Sequence, residues 1–122
     1  LKPYPACNKR LFESIIEQGG ALLSPFHLTM DALPGNFPAR NRIIAGMSCA
    51  TVVIQAAEKS GARITALYAL DQGREVCAVP GAINDPLSVG CHKLIKEGAA
   101  LVTSGLEVLE ACGFQIMLEQ KI

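Results

Sequence analysis

The sequence predicts an α/β chain: a Rossmann-like parallel sheet flanked by helices, with about four core strands. Three observations lead there. Short apolar runs without polar alternation recur along the chain, which is how strands buried on both faces read. Longer segments with helical spacing lie between them, and most of these stop at a glycine. Strand and helix alternate, the mark of parallel strands joined by crossovers. With 122 residues, of which 50% are hydrophobic, the chain is long enough for one core.

In chain order, "CNKRLFESIIEQGG" puts Leu11, Ile15 and Ile16 on one stripe and stops at Gly19-Gly20, predicting a helix with a left-handed cap. "ALLS" (21–24) is the first expected strand. "TVVIQA" (51–56) is β-branched and is the second. "SGARITALYALDQG" opens on a serine cap, lines up Ile64, Leu67 and Leu70, and ends at Gly73. "VCAVP" (76–80) and "ALVT" (100–103) are the remaining strands, and "GCHKLIKEG" and "SGLEVLEACG" are shorter helices of the same pattern. The tail "FQIMLEQKI" fits a strand, a helix or a linker. Residues 1–112 therefore read as the domain and 113–122 as a tail or linker. No internal repeat or low-complexity tract appears.

Composition excludes several classes. No apolar run approaches the length of a membrane span, and "LKPYPACNKRLF" has no signal-peptide pattern. Five cysteines, at 7, 49, 77, 91 and 112, include no C-x-x-C pair, so free thiols in the cytoplasm are expected. The formal net charge is zero, which argues against a uniformly basic nucleic-acid binder. The charge is unevenly spread, however. Residues 36–70 carry Arg40, Arg42, Lys59 and Arg63 against Glu58 alone, leaving seven basic and ten acidic residues elsewhere.

Ligands of such sheets sit outside the carboxyl ends of the strands. Three polar loops follow expected strands, so Arg40, Arg42, Lys59 and Arg63 are expected to share one patch that grips phosphates. Pro38 suits a first helical turn whose N–H groups face an anion, with Arg40 or Arg42 adding charge. "KSGAR" offers the same arrangement around Lys59 and Ser60. Gly81 lets backbone approach a ligand, and Phe37 offers a face for a base. Plainer roles compete: the arginines pairing with Asp31 or Asp85, Phe37 plugging the core, Gly61 and Gly73 serving as turns.

Catalytic signals are weaker. Cys91 and His92 are neighbours, but a buried cysteine beside a surface histidine is the simpler reading. His27 has no second histidine at ligand spacing. Glu58 follows a strand as a general base would, without an identifiable acid or nucleophile. No G-x-G-x-x-G, Walker loop or G-x-S-x-G occurs. No catalytic residue, metal or cofactor is expected.

Read together, "YPACN", "EQGGALLS", "NFPARNRIIAGMS", "AAEKSGARITALYALDQGREVCAVPG" and "GCHKLIKEGAALVTS" resemble the DNA-processing protein A (DprA/Smf) family over about residues 3–110. The resemblance implies a Rossmann-like fold that binds single-stranded DNA, loads the RecA recombinase onto it in natural transformation, forms a dimer and catalyses nothing. By position it implies a DNA-facing group of Asn36, Arg40, Asn41, Arg42, Lys59, Ser60 and Gly61; Phe37 and Arg63 join it from the residue reading. Ala39, Ala62, Leu67 and Pro25 depart from the family pattern, and the lost charges imply weaker phosphate contact.

Similar proteins carry another half-sheet before "YP", so the chain reads as the C-terminal half of the domain. Its exposed edge strand invites self-association. Two alternatives are carried forward. One is a lysine-decarboxylase-like phosphoribohydrolase, for which Pro80-Gly81 matches only the start of the "PGG-x-GT" loop. The other is a non-catalytic oligomerisation fragment.

Overall fold

The computed structural model describes residues 3–27 and 29–114. A 3-10 turn at Ala6–Asn8 leads into α1 (Lys9–Glu17); α2 (Asn36–Gly46) follows after a long connection. Then come β1 (Ala50–Val53), α3 (Gly61–Asp71), β2 (Glu75–Ala78), α4 (Val89–Lys96), β3 (Ala100–Leu101) and α5 (Gly105–Ala111). The chain divides into two compact bodies, Leu1–Arg40 and Asn41–Ile122, so the division falls within α2.

In the second body the strands pair in parallel in the order β1-β2-β3. Ala50 faces Glu75 and Val53 faces Ala78; Cys77 and Ala78 face Ala100 and Leu101. The predicted alternation is therefore present as a three-stranded parallel sheet with helices. β2 is central, and its consecutive Val76, Cys77 and Ala78 are all buried, as an apolar run without alternation requires. α3 packs on β1 and β2, and α4 on β2 and α3. The core joins Val53, Val76, Ala78, Cys91 and Leu94 to alanines at 45, 66 and 69, each fully buried. These methyl-sized contacts let the helices lie close to their neighbours.

The helix ends behave as their residues dictate. Ser60 is extended, and its hydroxyl accepts from the Arg63 N–H at 3.2 Å, capping α3. At the other end Gly73 has φ +69°; its N–H donates to the Leu70 carbonyl and that of Arg74 to the Ala69 carbonyl. That pair of bonds needs a left-handed residue, which glycine adopts without a Cβ penalty. Ser104 caps α5 through the Glu107 N–H, while the Glu107 carboxylate reaches back to the Thr103 N–H at 2.5 Å.

Two expectations change. Residues 21–24 form no strand: an extended apolar run becomes one only against a ladder partner, and the described ladder contains β1, β2 and β3 alone. Three strands therefore replace about four. The others are also shorter than their apolar runs; after Ala78 only the Val79 N–H continues the pairing, to the Val53 carbonyl, and Pro80 has no N–H to offer. Of the expected tail, Gly113 and Phe114 close α5, and residues 115–122 lie outside the described residues.

Candidate nucleic-acid interface

Because the strands are parallel, the loops after β1, β2 and β3 leave the same edge of the sheet. The first is the richest. Glu58, Lys59, Ser60, Gly61, Arg63 and Ile64 line an open cleft of about 320 Å³ at the N-terminus of α3. The first turn of α3 holds no acidic residue, so the unpaired N–H groups and the positive end of the helix are not neutralised there. Four residues of the expected set, Lys59, Ser60, Gly61 and Arg63, thus meet in one place. Lys59 is exposed; Arg63 is more withdrawn, with its Nη2 2.7 Å from Glu97 Oε1 and its Nε buried without a hydrogen-bond partner.

Two carboxylates temper this charge. Glu58 pairs with Lys93 of α4, and Glu97 with Arg63. The hydrogen bond from Lys93, its charge and then that of Arg63 hold the Glu58 carboxyl below the usual carboxylate range. With its folded value depressed, the pairing is present above the ordinary carboxylate range and is lost only as pH falls through the lowered value. Glu58 is thus held as the partner of Lys93 at the surface of the cleft.

Arg42 lies elsewhere. Its carbonyl accepts from Gln72 Nε2 at 3.1 Å, and Arg74 Nη2 donates to the Gly46 carbonyl at 2.8 Å. Gln72 and Arg74 follow the C-terminus of α3, whereas Lys59 precedes its N-terminus. An eleven-residue helix is about 16 Å long, so these two backbone positions do not share a strand tip. The expected convergence of the cations at one rim is corrected within this body: Lys59 and Arg63 meet, and Arg42 stands toward the opposite end of α3. Asn41 is half-buried on the same helix.

In the first body, Asn36 and Phe37 open α2 and Arg40 follows one turn later. The Asn36 amide donates to Met30 Sδ at 3.8 Å. Phe37 is 39% exposed, so it is no core plug. Its ring centroid lies 6.1 Å from that of Tyr4, tilted by 43°, and the Arg40 guanidinium carbon sits 5.6 Å from the Phe37 centroid. This spacing suits a cation on an aromatic face.

The remaining candidates have structural work. Cys91 is fully buried, its thiol donates to the Val53 carbonyl at 3.6 Å, and burial raises its pKa. His92 Nε2 accepts from the Gly81 N–H at 3.1 Å, so the two neighbours serve different partners. Gly81 does not make room for a ligand, as expected from its type; a Cβ there would meet Ser88 Oγ at 2.1 Å, and Asp85 in turn accepts from that hydroxyl and from the Leu87 N–H. His27 bonds Thr29, and no group of three metal-ligating side chains occurs among the described residues. Sequence reasoning missed Lys93 and Glu97. Their four-residue spacing puts them on one helix face, but nothing local says which loop that face meets.

The pattern of the family described as DNA recombination-mediator protein A matches residues 1–113. The chain is 52% identical over 111 residues to protein Smf of Escherichia coli K12, covering 91% of this chain and 30% of that protein. It is 49% identical over 106 residues to DNA processing protein DprA of Streptococcus pneumoniae R6, covering 87% and 37%. The chain thus spans about a third of the length of these relatives.

Solved structures extend the likeness to the fold. The crystal structure of Streptococcus pneumoniae DprA superposes with a TM-score of 0.74 at 46% identity, covering 94% of this chain and 40% of that one. DprA of Helicobacter pylori, whose structure concerns its single-stranded DNA binding mode, gives 0.70 at 27% identity, covering 88% and 49%.

Proposed function

The chain belongs to the DNA recombination-mediator protein A family, and from that premise we propose that it binds single-stranded DNA through the cationic cleft at the N-terminus of α3. The observation that carries the reading is the meeting of Lys59, the Ser60-capped turn, Gly61 and Arg63 at a strand's carboxyl end, the standard place for a ligand in such sheets. Lys59 supplies an exposed ammonium, and the N–H groups of the first turn supply donors for phosphate oxygens. Asn36, Phe37 and Arg40 on the first body, and Asn41 and Arg42 on the second, are proposed as separate further DNA contacts. In the cell this contact serves recombination: the protein acts as a homodimer in the cytoplasm and hands single strands to RecA during natural transformation. Free thiols at all five cysteines fit a reducing compartment, and no helix of the described residues is long and apolar enough to cross a membrane. The family description is that of a mediator rather than a catalyst.

Anisotropy titration of a labelled oligodeoxythymidine across salt concentrations tests the proposal. Affinity should fall steeply with salt, and Lys59→Ala should weaken binding to every sequence alike while reducing the salt slope by roughly one. Binding that ignores salt, or no binding at all, would overturn it.

A further inference from the structure

We infer that Glu97 is a built-in competitor at the phosphate site: its carboxylate holds the Arg63 guanidinium in the free protein and yields it to the backbone of a bound strand. The inference rests on the DNA-binding reading above and deepens it, by naming the residue that sets how much of the cleft's charge is available. Two cations line the cleft. Lys59 is exposed, whereas the Arg63 side chain is 24% exposed and its Nη2 lies 2.7 Å from Glu97 Oε1. That bond uses one donor of a fork. The neighbouring Nε is buried and has no hydrogen-bond partner among the described residues. An unmet buried donor is costly, so the closed pair is a compromise. An anion that brings one oxygen to each donor satisfies the fork, and a phosphate has the oxygens to do so.

Glu97 is also poorly placed for its own helix. It is the C-cap of α4, the negative end of the helix, where an anion is disfavoured. Lys93 and Lys96 in the last turn suit that end, and Glu97 does not. A carboxylate at such a position gains from its partner rather than from its helix. Glu58, the carboxylate that lines the cleft, is already taken up by Lys93, four residues before Glu97. α4 therefore sets both sides of the balance: Lys93 withdraws an anion from the cleft, and Glu97 withdraws a cation. The Arg63–Glu97 pair is itself partly exposed, at 24% and 41%, so its strength is modest and a phosphate can displace it.

The experiment titrates a short labelled oligodeoxythymidine with the full chain, by anisotropy across salt concentrations. It compares the wild type with Glu97→Gln, Arg63→Gln and the double variant. Glu97→Gln should tighten binding about two- to tenfold and steepen the salt slope by roughly one, as a further cation reaches a phosphate. In the Arg63→Gln background the same change should have no effect, which a double-mutant cycle reads directly. Glu75→Gln makes the same charge change at the exposed amino end of β2 and should leave affinity and slope unaltered.

A gain that persists without Arg63, or that Glu75→Gln reproduces, means that the carboxylate acts through its field alone and overturns the inference. Unchanged or weaker DNA affinity in Glu97→Gln, whatever its urea midpoint, leaves Glu97 a structural partner of Arg63 and overturns it as well. Both outcomes leave phosphate binding at Lys59 standing. If the wild type binds no oligomer, the DNA-binding reading itself fails and takes this inference with it.

Discussion

At the scale of single residues, the five cysteines divide by environment. Cys7 and Cys49 are exposed, while Cys77 and Cys91 are buried and burial pushes both thiols above their ordinary pKa. A thiolate is the reactive form, so both effects act against modification of the buried pair. Iodoacetamide at neutral pH should label Cys7 and Cys49 in the native protein and reach Cys77 and Cys91 only after denaturant is added, as peptide mass spectrometry would show. Early labelling of Cys91 would mean that α4 does not seal against β1. The same scale shows where the sequence was readable. Lys59, Ser60 and Gly61 are consecutive, so their meeting required only a turn. Arg42 was misplaced because its position relative to Lys59 depends on the whole length of α3, which no local pattern reveals.

At the scale of elements, α3 carries the most information. Its serine start and glycine stop were legible because each satisfies backbone groups the helix itself leaves unpaired. Ser60→Ala removes an acceptor from the first turn and should cost about 1 kcal/mol, seen as a lower urea midpoint, whereas Ser60→Asp should retain most of the stability. An unchanged midpoint for the alanine variant would mean the cap is replaced by solvent at no cost. Strands were less legible than helices. "TVVIQA" and "VCAVP" were recognised because β1 and β2 pair with each other, but "ALLS" has equal apolar character and no ladder, and pairing is a property of two segments rather than one.

For the molecule as a whole, burial is concentrated in one part. Every buried residue among those described lies between Ala45 and Val102, in the second body, and α1 has none. Local opening follows buried apolar contact, so stability should be unequal along the chain. In hydrogen exchange, the amides of β2 and the middle of α3 should be the slowest, and those of α1 should exchange earlier. Uniform protection across both bodies would contradict this distribution. The division into two bodies was not legible beforehand, because α2 reads as one uninterrupted helical segment across the boundary at Arg40.

The alanines at 45, 66 and 69 have a consequence for where the binding loop sits. A helix resting on single methyl groups has its stand-off set by the smallest possible spacer, with no slack to absorb a larger one. Any bulkier side chain at Ala66 would lift α3 and carry its leading end along. The height of the cationic lip is thus metered from beneath, by atoms that never meet solvent.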